Sequence, residues 1–449
     1  MQFEKETPEM LALALQRLEE GFTALPSVEA QKLGLDRMKQ VMDEVAARLR
    51  DNYPYFHPLY AGQMLKPPHP IARAAYALAT WINPNNHALD GGRASSAMER
   101  EAVAGIAAMF GWKTHLGHLS SGGTMANLEA LWVAGQLHPG KKIVASAQAH
   151  YTHHRISGVL GLPFVQVPCD TRGRMDTTAL AKMLAGGDVG CVVATVGTTG
   201  TGSVDPLPEI LGLRDQFGFR LHLDAAYGGY FVLAGNLSDP TRAAYDRLGE
   251  ADSIVIDPHK HGLQPYGCGC VLFRDPSVGA LYKHDSPYTY FTSSELHLGE
   301  ISLECSRPGA SAVALWATQK LLPLVRGGDF AKGLEACRSA AVEFAERLAA
   351  DARWVVPFPP ELDIVVWAPR TDSAERTSEL SHQIFDAAAQ RGLHLALIRL
   401  PVSYFPSYAG RQNESATVTC LRSVLMKPEH REWVNRILVE LDAAFKQVE

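Results

Sequence analysis

No uninterrupted apolar run in the 449 residues approaches membrane-spanning length, and a spanning helix needs about 20 such residues, so insertion into a bilayer is not expected. The N-terminus, Met1-Gln-Phe-Glu-Lys-Glu-Thr-Pro8, lacks the apolar core of an export signal. Positive charge is not in surplus. Lys and Arg number 42 against 48 Asp and Glu, a formal net charge of −6, so the chain lacks the basic footprint of a nucleic-acid binder. Cysteine is scarce: there are seven, and Cys268-Gly-Cys270 is spaced too tightly for a C-x-x-C redox pair. A disulfide scaffold is therefore excluded, and reduced thiols in a cytoplasmic protein are expected. Internal repeats and low-complexity tracts are missing too. What remains is a globular composition, 46% hydrophobic and 20% charged, at a length that holds two or three domains around a large core.

Periodicity divides the chain into three. In residues 1–65, Leu11, Leu13, Leu15 and Leu18, then Met38, Val41, Met42, Val45 and Leu49, recur at helical spacing. They predict a helical arm, which either wraps a partner subunit or packs on its own domain. Residues 66–326 alternate short apolar runs with helical segments, the pattern of a parallel sheet with crossover helices. Gly327-Gly328 reads as a hinge into residues 327–449, where helix 329–351, strand 362–368, helix 373–391, strands 393–400 and 416–425 and helix 428–447 predict a small α+β domain.

The chemistry lies at strand ends. Ser253-Ile-Val-Ile-Asp-Pro-His-Lys260 is an apolar strand running into a His-Lys pair, and Arg220-Leu-His-Leu-Asp224 ends in an aspartate. A lysine and an aspartate so delivered suit pyridoxal 5′-phosphate: the amine condenses with its aldehyde, and the carboxylate keeps the pyridine nitrogen protonated so that the ring acts as an electron sink. Taken singly, Asp224 reads as a helix cap and Lys260 as a surface lysine. Two further strand ends weigh against that. Ser120-Ser121-Gly122-Gly123-Thr124 opens the helix Met125-Ala-Asn-Leu-Glu-Ala-Leu-Trp132, and small residues with a hydroxyl at a helix N-terminus make an anion site. Lys142-Ile-Val-Ala-Ser-Ala-Gln-Ala-His150 ends in an imidazole that would stack on the cofactor ring. His150, His153 and His154 have ligand-like spacing, but no cysteine or carboxylate cluster nearby in sequence completes a metal site, so no metal is assigned. His153 and His154 read as ordinary polar residues at a helix start.

Ser121-Gly-Gly-Thr-Met-Ala-Asn-Leu128, Ala149-His150, Ala194-Thr-Val-Gly-Thr-Thr199, Asp205-Pro206, His222-Leu-Asp224-Ala-Ala-Tyr-Gly-Gly229, Asp257-Pro-His-Lys260, Ser306-Arg-Pro-Gly309 and Leu421-Arg422 follow in order. Together they resemble the pyridoxal phosphate-dependent group II amino-acid decarboxylases, from about Tyr53 to Pro428. In Asp257-Pro-His-Lys260 and the Gly262 to Pro265 turn the likeness is to the archaeal tyrosine/aspartate decarboxylases and sphingosine phosphate lyases. The resemblance implies an aspartate-aminotransferase-like, fold type I α/β enzyme: a mostly parallel central sheet, an N-terminal helical arm, and a homodimer with shared active sites. It implies that Lys260 carries the cofactor, Asp224 pairs with the pyridine nitrogen, and the ring lies between His150 and Ala226. Gly123, Thr124 and His259 would hold phosphate, with Ser306 reaching it from the other subunit, and Thr198 would lie on the 3′-oxygen side. Arg422 matches the arginine that grips the substrate α-carboxylate; the alternative is a strand-end surface arginine. A loop tyrosine would return the proton to Cα, here Tyr288, which follows a proline, with Tyr290 next.

The expected reaction is decarboxylation of an L-amino acid to an amine and carbon dioxide. The segment Tyr53-Pro-Tyr55-Phe56-His57-Pro-Leu-Tyr60-Ala-Gly-Gln63 matches the side-chain pocket, with Asn85 and His87 coming from the partner. Amides and a histidine at that second segment point to a polar side chain, tyrosine or an acidic residue such as glutamate or aspartate, and Arg93 either faces an acidic substrate group or forms a surface ion pair. Rival readings are transamination, carbon–carbon lyase chemistry, decarboxylation with deamination to an aldehyde, and a non-catalytic binding protein. Arg422 argues against the lyase, and the presence of Lys260, Asp224 and His150 argues against the binding protein.

Overall fold

The computed structural model describes residues 4–26, 34–87, 91–283, 301–405 and 416–449. The chain opens with helices α1 (Glu6–Glu20) and α2 (Leu35–Leu49), neither of which buries a residue. In α2 the apolar residues Leu35, Met38, Met42, Val45 and Leu49 are spaced three and four apart, which puts them on one stripe, and they are 40–62% exposed. Helices α3 (Pro70–Thr80) and α4 (Arg93–Met109) follow. Among the described residues, no helix is long and apolar enough to cross a membrane.

Strands β1 (Leu116–Ser120), β2 (Lys142–Ser146), β3 (Phe164–Val167), β4 (Val189–Thr195), β5 (Arg220–Asp224), β6 (Ser253–Ile256) and β7 (Gly269–Phe273) form a seven-stranded sheet, in order β1-β7-β6-β5-β4-β2-β3. β7 runs antiparallel to both neighbours, and the other pairs are parallel. Helices α5 (Gly123–Leu137), α6 (Thr152–Val159), α7 (Thr177–Leu184), α8 (Leu207–Phe217) and α9 (Asp239–Tyr245) make the crossovers. Strands covered on both faces carry continuous apolar runs: β4 is buried from Gly190 to Thr195 and β6 throughout. Because β1, β2, β4, β5 and β6 run the same way, their carboxyl ends share one edge of the sheet, where ligands of such folds bind.

Gly327, at φ +74°, adopts the left-handed turn that glycine tolerates. The chain continues from α10 (Gly309–Leu321) into α11 (Asp329–Ala350). A four-stranded antiparallel sheet follows, in order β10-β11-β9-β8, from β8 (Trp354–Val355), β9 (Ile364–Pro369), β10 (Ala396–Pro401) and β11 (Thr417–Val424). Helices α11, α12 (Ala374–Gln390) and α13 (His430–Val448) pack on it through Phe344, Ile384, Ile437 and Leu441. Strand β10 starts later than the expected residue 393 because His394 bridges Tyr60 instead of β11. The two sheets meet in a common core containing Leu223, Leu362, Ile364 and Val424. That seam is tied by Tyr227 Oη donating to Asp363 Oδ1 at 2.5 Å and Val204 N donating to Glu361 Oε2 at 2.7 Å.

Candidate active site

Strand ends bring Gly123, Thr124, His150, Asp224, Ala226, His259 and Lys260 to the wall of one cavity of about 390 Å³. Strand β1 delivers the glycine turn to the start of α5, whose first N–H groups are free of side-chain caps. A Cβ at position 123 would stand 2.7 Å from Asp257 Oδ2, so a larger residue there would have to displace that buried carboxylate. Lys260 Nζ lies 3.0 Å from that same carboxylate oxygen. Asp257 is buried, and its other oxygen, Oδ1, has no hydrogen-bond partner.

Asp224 is clamped on both oxygens. Oδ1 accepts from Ala226 N at 3.2 Å and Oδ2 from His153 Nε2 at 2.8 Å. Burial works to raise its pKa, but the hydrogen bond and charge of His153, with Lys260 beside it, outweigh burial and hold the carboxyl well below the usual range. His153 is fully buried, which corrects its expected place as an ordinary polar residue at a helix start. Its spacing of three residues from His150, across the turn that opens α6, was the signal available in the sequence. Burial pushes the His150 and His259 imidazoles below their ordinary values, and His259 Nδ1 is anchored 2.8 Å from Cys268 O.

Arg422, on β11, stands at the seam between the sheets. Its Nη1 donates to Thr199 O at 3.1 Å and its Nη2 to Gln63 Oε1 at 2.5 Å. It is buried, and Nε has no partner, so it is not the surface arginine of the alternative reading. Tyr60 is buried nearby, its ring 4.9 Å from Tyr55.

Other expected site residues do not line this cavity. Thr198 does not line the cavity. Gly197, at φ +89°, turns the chain, and the Thr198 hydroxyl is 2.7 Å from Thr201 Oγ1 and accepts from Ser203 N; Thr195, Gly197 and Thr199 line the wall instead. Ser306 is exposed, accepts from Asn85 Nδ2 at 3.2 Å and does not line this cavity. His87 is held by its N–H to Asn85 Oδ1. His57 packs on Trp433, with ring centroids 5.0 Å apart, and Arg93 is exposed at the start of α4. Tyr288 and Tyr290 lie outside the described residues. Among the described residues, no group of three or more His, Cys, Asp or Glu could hold a metal ion.

The donor set fits pyridoxal phosphate. It offers uncapped helix N–H groups beside a glycine that leaves no Cβ in the cradle, a buried ionised carboxylate, and a lysine amine between them. A lysine and a carboxylate at strand ends of a mostly parallel sheet, with a small antiparallel sheet behind, define a fold type I pyridoxal phosphate enzyme. Residues 125–369 match the pyridoxal-dependent decarboxylase conserved domain. The L-tyrosine decarboxylase of Enterococcus faecium is 27% identical over 79% of this chain and 76% of its own length. A probable L-tyrosine/L-aspartate decarboxylase of Methanothermobacter thermautotrophicus is 31% identical over 58% of this chain and 70% of its own. The crystal structure of mouse CSAD superposes with a TM-score of 0.78 over 96% of this chain and 92% of its own, at 20% identity. The chain belongs to the pyridoxal-dependent decarboxylase family and is a pyridoxal phosphate-dependent carboxy-lyase of amino acids.

Buried neutral histidines set the acid limit. Burial, aided by His153 for His222 and by Lys427 for His430, pushes both imidazoles down to about 3. In the unfolded chain they would titrate near 6.5. Below that pH the unfolded state binds more protons, so stability is lost as pH falls, by about 1.4 kcal/mol per pH unit for each histidine. His118 opposes this: burial lowers its pKa, but the Glu129 carboxylate outweighs burial and raises it. The melting temperature is expected to fall steadily from pH 7 to pH 5; a flat profile would contradict the neutral burial of His222 and His430.

Proposed function

We propose that the enzyme decarboxylates an L-amino acid with a polar aromatic side chain, L-tyrosine first, to the amine and carbon dioxide. The observation that carries this reading is the group of tyrosine rings beside Arg422, the residue that would serve the α-carboxylate. The rings of Tyr53, Tyr55 and Tyr60, close to one another near Arg422, offer an aromatic wall, and the relatives named L-tyrosine decarboxylases support the same reading. Carbon dioxide release measured across the 20 standard amino acids is expected to be largest with tyrosine. Dominance of aspartate or glutamate would replace this substrate with an acidic one.

Gly123, Thr124 and His259 would hold the cofactor phosphate, Asp224 would face the pyridine nitrogen, His150 and Ala226 would take the two ring faces, and Lys260 would carry the cofactor. When bound, pyridoxal phosphate supplies the electron sink for bond breaking at the α-carbon. The Arg422 guanidinium would exchange its neutral Gln63 partner for the substrate carboxylate, a stronger charge-assisted pair, and so orient the bond that breaks. Tyr288, with Tyr290 the alternative, would return the proton to Cα.

A homodimer is part of this reading. Ser306 and Asn85 bond to one another and do not line their own cavity, and the bare apolar stripe of α2 suits burial against a second subunit. Residues 1–65 would form the arm, 66–326 the cofactor-binding domain and 327–449 the small domain. All seven cysteines are free thiols, which suits a cytoplasmic enzyme.

A further inference from the structure

We infer that His153 is a positioning residue that fixes the Asp224 carboxylate against the cofactor site, an inference that rests on the reading of Asp224 as the group facing the pyridine nitrogen. Strand β5 brings Asp224 to the sheet edge, but a strand end alone leaves its carboxylate free to rotate. Two donors from different parts of the chain stop it: Ala226 N on Oδ1 at 3.2 Å and His153 Nε2 on Oδ2 at 2.8 Å. The histidine comes from the first turn of α6, 71 positions away in sequence.

The environment of His153 is built around that single bond. Its side chain has no exposure, and its Nδ1 is buried without a partner. Buried polar atoms are nearly always paired, so a ring that leaves one nitrogen orphaned is held for what the other does. With Asp224 as acceptor, Nε2 must carry a proton. The nearest ring, His222, lies 6.5 Å away between centroids and cannot share the task. Its own nitrogens are committed to Ser253 Oγ at 2.9 Å and Asn127 Oδ1 at 2.8 Å. Lys260 and, after it, His222 also act on Asp224. The His153 bond therefore holds the carboxylate in one orientation, and a carboxylate deprived of the bond would hold a proton more readily.

The test uses holoenzyme and a pair of polar substitutions. In His153→Gln the amide nitrogen reaches about where Nε2 stood; in His153→Asn it does not. His153→Asn is expected to weaken pyridoxal phosphate binding by roughly 10- to 100-fold, the loss of one charge-assisted hydrogen bond. The pH midpoint of the bound cofactor's visible absorbance should move by about one unit, and kcat should fall with KM for the amino acid unchanged. His153→Gln should recover most of both spectroscopic readouts. Wild-type cofactor affinity and titration in His153→Asn would overturn the inference. So would a His153→Gln variant no better than His153→Asn when both melt like wild type, because the ring would then only fill space. Asp224→Asn separates the two levels. If it leaves cofactor affinity and absorbance untouched, the placement of Asp224 itself fails; if it changes them while His153→Asn does not, the role of His153 alone fails.

Discussion

Replacing Lys260 with alanine is expected to lower turnover by at least about four orders of magnitude, because the reaction loses the amine that carries the cofactor and passes it to substrate. Fold should survive. Lys260 is partly exposed and pairs with Asp257 at 3.0 Å; that carboxylate remains beside the His259 ring, with Nε2 at 3.6 Å. Borohydride treatment of the wild-type holoenzyme should fix cofactor mass to the peptide containing Lys260, and the variant should show none. A reduced adduct on another lysine would overturn the assignment. The same variant tests the dimer. Mixed and reassembled with Ser306→Asp subunits, which place a negative charge where phosphate is proposed to be held, it should regain about a quarter of wild-type activity, since half the dimers would be mixed and one of the two sites in each would combine an intact Lys260 with an intact Ser306. No recovery after subunit exchange, or a fully active monomer by sedimentation, would end the idea of a shared site.

Arg422→Ala is expected to lower kcat/KM by about 30- to 1,000-fold, the loss of a bidentate charge-assisted pair worth about 2–4 kcal/mol. Arg422→Lys should recover little, because an ammonium cannot reproduce the planar fork that grips a carboxylate. The arginine also ties Thr199 O to Gln63 across the seam between the sheets. Its removal also loosens that seam, so the melting temperature has to be measured alongside. A variant that melts like wild type and still decarboxylates at the wild-type rate would place the carboxylate elsewhere. A fall in melting temperature accompanied by unchanged activity would give Arg422 a structural task only.

The positions of Asp224, Lys260, Gly123 and His150 were legible in the sequence because each sits at or just beyond the end of an apolar strand. Once alternating strands and helices imply a parallel sheet, strand ends collect on one edge without further information. The small C-terminal sheet was legible for a similar reason, since its elements follow local periodicity to within a few residues. Which side chains bond to one another was not. His153 and Asp224 lie 71 positions apart, and only the packing of α6 against the sheet edge makes them partners. Thr198 and Thr199 are equivalent in sequence, and the left-handed turn at Gly197 decides that Thr199 meets the cavity while Thr198 closes its own turn. The capture of Arg422 by Gln63, across 359 positions, depends on two sheets docking. By itself the sequence determined where the reactive groups stand, because strand and helix formation are local; their partners were decided by tertiary structure, because hydrogen bonds and burial depend on distance in space.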